Sequence, residues 1–261
     1  MRIEPLSSSK KKMLCSLDKR KYRVENGLFA VEGTKAFLEI YSAGKFPLTF
    51  IVATRNWIDK EVYGIEEDVL IYEASNNDLQ KISNFITAPE VIGYFQLPED
   101  RMPCAEDLSD KLTIALDGIQ DPGNMGTIIR LADWWGVENI FCSKECADCF
   151  SPKVVQASMG ALGRVDVYRI DSLKDFILKL KENGLMVYGA YMEGVNIFEA
   201  KLSSSGILIM GSEGNGISYD ISKLIDCKIT IPPYPAGRAH VESLNVATAT
   251  AVILGQFRYG R

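Results

Sequence analysis

Ile229-Thr-Ile-Pro-Pro leads through a Pro/Gly-rich loop into Glu242-Ser-Leu-Asn-Val-Ala-Thr-Ala-Thr-Ala-Val-Ile-Leu254, and the rest of the chain is organised around this stretch. It begins as a short β-branched strand and ends as a helix of Ala, Thr and Val with almost no charge. A helix that is apolar all round is buried on most sides. Glu242, Ser243 and Asn245 nevertheless stand at its entrance. Polar side chains and unpaired backbone N–H groups therefore gather where a loop meets a buried helix N-terminus, which is a place to hold a ligand.

Working outward, short apolar runs alternate with helical patterns from residue 112 onward. Strands are expected at Leu112–Leu116, Asn139–Cys142, Val165–Arg169, Leu185–Ala190, Ile207–Gly211 and Lys228–Ile231. Helices are expected at Asn124–Trp135, Lys153–Leu162, Leu173–Asn183 and Ser243–Tyr259. Continuous β-branched strands joined by helices indicate an α/β domain with a parallel sheet covered on both faces. Residues 98–111 are charged, hold two prolines and read as a linker. Residues 1–97 read as a separate small α/β unit with a basic helix from about Lys10 to Arg23, capped within Ser7–Ser9. The expected organisation is thus 1–97, linker 98–111, and 112–261.

The chain of 261 residues is 47% hydrophobic and 24% charged, ordinary for a globular protein. It has no apolar run of the ~18–20 residues a membrane span needs, and its start lacks a signal peptide's apolar core. Six cysteines without a secretion signal read as reduced thiols, so a cytoplasmic protein with no membrane association is expected. The net charge of −5 hides an asymmetry. Residues 1–23 carry eight basic and two acidic groups, a balance of +6 that leaves −11 for the remainder. A basic patch on an acidic body suits a polyanionic partner; a solvated basic helix with no partner is the plainer reading. Lys11, Lys12, Lys19, Arg20, Lys21 and Arg23 are the candidate contacts to such a partner.

Open α/β sheets bind ligands beyond the carboxyl ends of their strands, and three loops there carry chemistry. In Asp117-Gly-Ile-Gln-Asp-Pro-Gly-Asn124, the turn leads to a helix that Asn124 can cap, and Arg130 follows six residues later on roughly the same side. A guanidinium with five donors suits phosphate. In Gly211-Ser-Glu213-Gly-Asn-Gly216, a strand enters a glycine turn with one carboxylate, and glycine permits close approach of backbone to a ligand. This turn lacks the pattern of a dinucleotide fingerprint and the lysine of a nucleoside-triphosphate loop, which counts against a dehydrogenase. The third loop is the opening stretch.

Together the three loops resemble the SpoU/TrmH family of RNA ribose 2′-O-methyltransferases, in the SPOUT superfamily. Asn124 and Arg130 match its first motif, Gly211, Glu213, Gly214 and Gly216 its second, and Ile231, Pro232, Ser243, Leu244, Asn245 and Val246 its third. Ser151-Pro-Lys and Ala157-Ser-Met-Gly-Ala161 resemble the family as well. Residues 1–95, with Phe29-Ala-Val-Glu-Gly33, look like the small RNA-binding substrate domain many members carry.

The resemblance implies a deep trefoil knot in the C-terminal domain, an exception to the rule against threaded chains. It implies S-adenosylmethionine bound against Gly211, Glu213, Gly216, Ile231 and Leu244, and a homodimer, built through the C-terminal domain, whose active sites use both subunits. The implied reaction is methylation of a ribose 2′-hydroxyl in ribosomal or transfer RNA. Arg130 would clamp phosphate and stabilise developing alkoxide, with Asn124, Glu213, Ser243 and Asn245 positioning the reactants. One departure is the 233–241 loop, a few residues longer than expected, which carries Arg238 and the only histidine, His240. Two rival readings remain: a non-catalytic RNA-binding protein on the same fold, and an iron–sulfur or zinc protein using Cys142, Cys146 and Cys149.

Overall fold

The structure is a computed structural model, and it describes residues 2–99, 102–235, 238 and 240–260. The chain divides into two compact units. The first holds the residues up to 99 together with 148–164, and the second holds 102–147 and 165–260.

The first unit begins with an edge strand, β1 (Arg2–Pro5), which the half-exposed sequence does not announce. The expected basic helix is two helices, α1 (Ser8–Ser16) and α2 (Arg20–Asn26). Ser7 caps α1 by accepting from Lys10 N. The break between them has a cause in Arg23, which is buried and donates to the Leu17 and Asp18 carbonyls at 2.7 Å each. Then follow β2 (Leu28–Glu32), α3 (Thr34–Ala43), β3 (Leu48–Ala53), α4 (Arg55–Glu61), β4 (Leu70–Glu73), α5 (Asn76–Ile82) and β5 (Val91–Gln96). The sheet order is β1-β4-β3-β5-β2. β1, β4 and β3 are mutually parallel, and β5 runs antiparallel to both β3 and β2.

In the second unit, β6 (Leu112–Asp117), α6 (Pro122–Trp134) and β7 (Asn139–Cys142) precede the excursion that carries α7 (Pro152–Ser158) in the first unit. The chain resumes with β8 (Asp166–Arg169), α8 (Leu173–Glu182), β9 (Val187–Asn196), β10 (Gly206–Gly211), α9 (Tyr219–Ser222), β11 (Cys227–Thr230) and α10 (Val246–Tyr259). Its six strands lie in the order β11-β9-β10-β6-β7-β8, and every pairing is parallel. The expected parallel α/β sheet is present. β6 and β10 are buried along almost their whole length, as strands covered on both faces must be.

Residues 148–164 depart from the expected continuous C-terminal domain. Phe150 packs against Phe29 and Phe46, with ring centroids 5.0 and 5.9 Å apart. Arg23 donates to Asp148 Oδ2 at 2.6 Å. A buried guanidinium needs such a counter-charge, so the late segment completes the first unit's core. The expected linker is also not free chain throughout, because Ala105 and Leu108 belong to the hydrophobic core of the second unit.

Candidate active site

The glycine turn, the α6 entrance and the α10 entrance meet at one point. Asn245 caps α10, its Oδ1 accepting from Ala247 N at 3.0 Å and Thr248 N at 3.3 Å. The helix therefore starts at Val246, three residues later than the apolar run alone suggests. The other end of the amide does different work. Asn245 Nδ2 donates to Glu213 Oε1 at 2.7 Å and to Asn124 Oδ1 at 2.8 Å. Asn124 Nδ2 donates to the same Glu213 oxygen at 3.2 Å. One carboxylate oxygen thus gathers amide donors from two separate loops.

Asn124 is not the cap of α6. Asp121 takes that place, its Oδ1 accepting from Asn124 N at 2.7 Å, with Pro122 at the first helical position. An Asp followed by Pro is a legible helix start, so this residue was within reach of the sequence. Because Asp121 holds the backbone, the Asn124 side chain is free to face Glu213.

The glycine turn is built by self-contact. Ser212 and Gly216 exchange backbone hydrogen bonds at 3.1 and 2.8 Å, and Gly216 has φ +64. A Cβ on Gly211 would overlap the backbone of Gly216 and Ile217. The close approach that glycine permits at 211 is that of the turn's own backbone. Asp117, at the end of β6, accepts from Ser218 N at 2.7 Å and fastens the far side of the turn. Nothing in the sequence marks that contact.

Beside the network lies a cleft of about 760 Å³ at the carboxyl ends of β6, β7 and β10. Asn124, Glu213, Gly216 and Val246 line it, as do Gly118, Ile119 and Ser143. Gly211, Ile231, Ser243 and Leu244 do not. Leu244 is instead an exposed apolar side chain, 47% accessible. Ile231 is half-buried. Arg130 is exposed on α6 and is not part of the cleft lining. Six residues at roughly 100° each leave it about 120° round the helix from Asn124, which corrects the expectation of a shared side. His240 Nε2 lies 3.2 Å from the Pro235 carbonyl, so its one described contact is within its own loop.

The cysteines expected as a possible metal loop behave differently. Cys142 and Cys146 are buried, and no group of three metal-capable side chains occurs among the described residues. Cys146 Sγ accepts from Ile119 N at 3.3 Å and lies 3.2 Å from the Leu116 carbonyl, to which the protonated thiol donates. The Cys142 thiol, the Ser143 hydroxyl and the Ile119 and Gly118 amides all favour the thiolate against the opposing effect of burial, and bring its pKa down to about 6.

Of the six basic candidates, Lys12, Lys19, Arg20 and Lys21 are exposed. Lys11 is paired with Asp78 at 2.6 Å. Arg23 is only 3% accessible and serves the core, so it is not an RNA contact. Charge clustering cannot separate these cases, because it carries no information on which guanidinium turns inward. No described helix is long and apolar enough to cross a membrane.

With this geometry in hand, comparison with known proteins is specific. Residues 111–255 match the SpoU rRNA Methylase family, and residues 9–93 match the MRM3-like substrate binding domain. The chain is 28% identical over 257 residues, 98% of each chain, to the 23S rRNA (guanosine(2553)-2′-O)-methyltransferase RlmP of Bacillus subtilis strain 168. Among solved structures it is similar to a TrmH-family protein from Porphyromonas gingivalis, with a TM-score of 0.86 and 38% identity over 98% of this chain and 99% of that one. It is also similar to an AdoMet-bound rRNA methyltransferase from Sinorhizobium meliloti, with a TM-score of 0.83 and 26% identity over 98% and 97% of the two chains. The chain belongs to the SpoU rRNA methylase family.

Proposed function

We propose that this protein transfers a methyl group from S-adenosylmethionine to a ribose 2′-hydroxyl of ribosomal or transfer RNA. The observation that carries the reading is the joining of Asn124, Glu213 and Asn245, one from each of three separate loops, in a single network at the strand ends. A relative named as a 2′-O-methyltransferase and a similar structure with AdoMet bound support it.

The donor set suits the methyl donor. The loops that follow β10 and β11 flank the end of β9, which lies between those strands. They offer the exposed Leu244, the half-buried Ile231 and the backbone of the 211–216 turn. Apolar side chains with backbone polar groups suit an adenosine, and these residues would hold it. When bound, S-adenosylmethionine supplies an electrophilic methyl group on a positively charged sulfur.

The chain's own task is the acceptor. A ribose hydroxyl is a weak nucleophile until its proton is drawn away, and it must be held in line. Glu213 Oε1 is already occupied by amide donors, so its part is to fix Asn124 and Asn245. A guanidinium has donors and no acceptor, so Arg130 is not the group that takes the proton. It clamps a phosphate and stabilises developing alkoxide charge, with a phosphate oxygen or water taking the proton. Ser243 orients the ribose from the α10 entrance.

Arg130 stands apart from its own chain's cleft, which fits a homodimer in which it serves the partner's site. Trp134 and Tyr259, both more than four-fifths exposed at the ends of α6 and α10, support a dimer through this domain. The C-terminal domain is the part expected to form the trefoil knot. Lys12, Lys19, Arg20 and Lys21 supply the RNA-facing charge of the first unit, and the reaction is assigned to the cytoplasm.

The test is methylation of ribosomal and transfer RNA from cells lacking the protein, with ribose-methylation mapping. One new 2′-O-methylated nucleotide is expected, and Arg130→Ala should abolish it while S-adenosylmethionine binding persists. RNA binding with no methylation under any condition would favour a non-catalytic RNA-binding protein.

A further inference from the structure

The β6–α6 turn must deliver Asn124 to Glu213, yet it runs past the end of its own strand and has backbone groups to satisfy. Gly118, at φ +72, donates its N–H to Ser143 Oγ at 3.0 Å. Ile119 donates to Cys146 Sγ at 3.3 Å. The Leu116 carbonyl accepts from Ser143 N at 2.9 Å, and the Ile119 carbonyl accepts from Ala147 N at 2.8 Å. Residues 116, 118 and 119 are therefore clamped to the segment after β7, and the two clamping side chains are 5% and 4% accessible. That segment is tied down in turn by Arg169, which donates to the Cys146 carbonyl at 3.2 Å and also to the Lys144 carbonyl. Two residues beyond the clamp, Asp121 fixes Asn124 N, and the Asn124 side chain reaches Glu213 at 3.2 Å. A hydrogen bond of that length is broken by a displacement of a few tenths of an ångström.

We propose that Ser143 and Cys146 are positioning residues for methyl transfer, holding the β6–α6 turn so that Asn124 closes the network with Glu213 and Asn245. The inference rests on the reading of that network as part of the methyl-transfer site. Buried N–H groups without an acceptor are costly. Removing the sulfur leaves Ile119 N–H to find another partner, and the turn moves to do so. The Cys142-x-x-x-Cys146 spacing, which suggests a metal loop in the sequence, here serves a turn. Serine at 146 retains an acceptor, whereas alanine does not.

The experiment compares Cys146→Ala, Cys146→Ser, Ser143→Ala, Asn124→Ala and the Asn124→Ala/Cys146→Ala double variant in the full-length protein. The readouts are melting temperature, S-adenosylmethionine affinity by calorimetry, and kcat and KM on ribosomal RNA from cells lacking the protein. Cys146→Ala and Ser143→Ala should each lower kcat about tenfold or more, with S-adenosylmethionine affinity within about threefold of the parent. Cys146→Ser should regain most of the rate. The double variant should be no slower than Asn124→Ala, because Cys146 acts through Asn124. A folded Cys146→Ala with a lower melting temperature but parental kcat would overturn the proposal, as would additive losses in the double variant. If Cys146→Ala does not fold, Ser143→Ala carries the same test. Parental activity in Asn124→Ala would instead refute the reading of the site. An inactive Asn124→Ala beside a fully active Cys146→Ala would refute only the positioning role.

Discussion

Asn245 combines two roles that substitution can separate. Its Oδ1 caps α10, and its Nδ2 ties Glu213 to Asn124. Asn245→Ala removes both. Loss of an N-cap costs about 1 kcal/mol, and two solvent-facing hydrogen bonds add roughly 0.5–1 kcal/mol each, so a loss of about 2–3 kcal/mol is expected, nearly independent of pH. Asn245→Asp keeps the cap oxygen but sets a second carboxylate where a donor met Glu213 at 2.7 Å. At that separation two like charges repel by about 1.5 kcal/mol with the dielectric constant of water and about 6 kcal/mol at an effective value of 20. The network is solvent-exposed, which places the cost toward the lower figure. One carboxyl then takes up a proton more readily. The two variants are thus of similar stability near pH 8 and part company toward pH 5, where a shared proton restores a donor. Urea unfolding from pH 5 to 8 measures this, with methyl transfer followed in parallel. A stability gap for Asn245→Asp that does not shrink toward acid, or an Asn245→Ala as stable as the parent, would refute the reasoning.

Gly211→Ala should destabilise the second unit by about 1–3 kcal/mol and weaken S-adenosylmethionine binding, since its Cβ meets backbone of Gly216 and Ile217 that has little room to yield; thermal unfolding and calorimetry test both. The thiol of Cys146 has a pKa near 6 in the native protein against 9.0 for an ordinary thiol, so its ionisation adds no stability below pH 6. Its contribution grows as pH rises from 6 to 9 and is complete above that, at most about 4 kcal/mol. The stability difference between the parent and Cys146→Ser should widen across that window and stay constant below it. Arg23→Ala leaves Asp148 with only the more distant Arg20, at 3.8 Å, and empties a buried site, so a loss of roughly 2–4 kcal/mol in the first unit is expected. Replacing Lys12, Lys19 and Lys21 with Gln should leave stability unchanged. The slope of log K against log salt for RNA binding should fall by roughly 0.7–0.9 for each phosphate no longer neutralised.

What could be read from the sequence follows from how local each cause is. The parallel sheet was legible because buried strands such as Leu112–Asp117 and Gly206–Gly211 leave continuous apolar runs. The three loops were legible because Asn124, Glu213 and Asn245 belong to motifs of fixed order. Their mutual hydrogen bonds, across 89 and 121 positions of sequence, were not. Arg23 looked like its basic neighbours, and only the chain's return at Asp148 reveals why it is buried. The membership of residues 148–164 in the first unit had no local sign either, since helical periodicity at Pro152–Ser158 says that a face is covered without saying by what. Ser143 and Cys146 were hidden for a related reason, because a side chain that serves another segment's backbone leaves no pattern in its own. Counting six residues as nearly two turns sets Arg130 on Asn124's side, whereas at roughly 100° per residue they leave it about 120° round the helix.

The most direct measurement is the position of the transferred methyl group. Full-length protein, S-adenosylmethionine labelled in the methyl group, and ribosomal and transfer RNA from cells lacking the protein are combined, and the labelled RNA is digested with alkali. A 2′-O-methylated ribose cannot be cleaved on its 3′ side, so the label is expected in a single alkali-resistant dinucleotide. Label recovered in mononucleotides, which marks methylation on a base, would contradict ribose methylation.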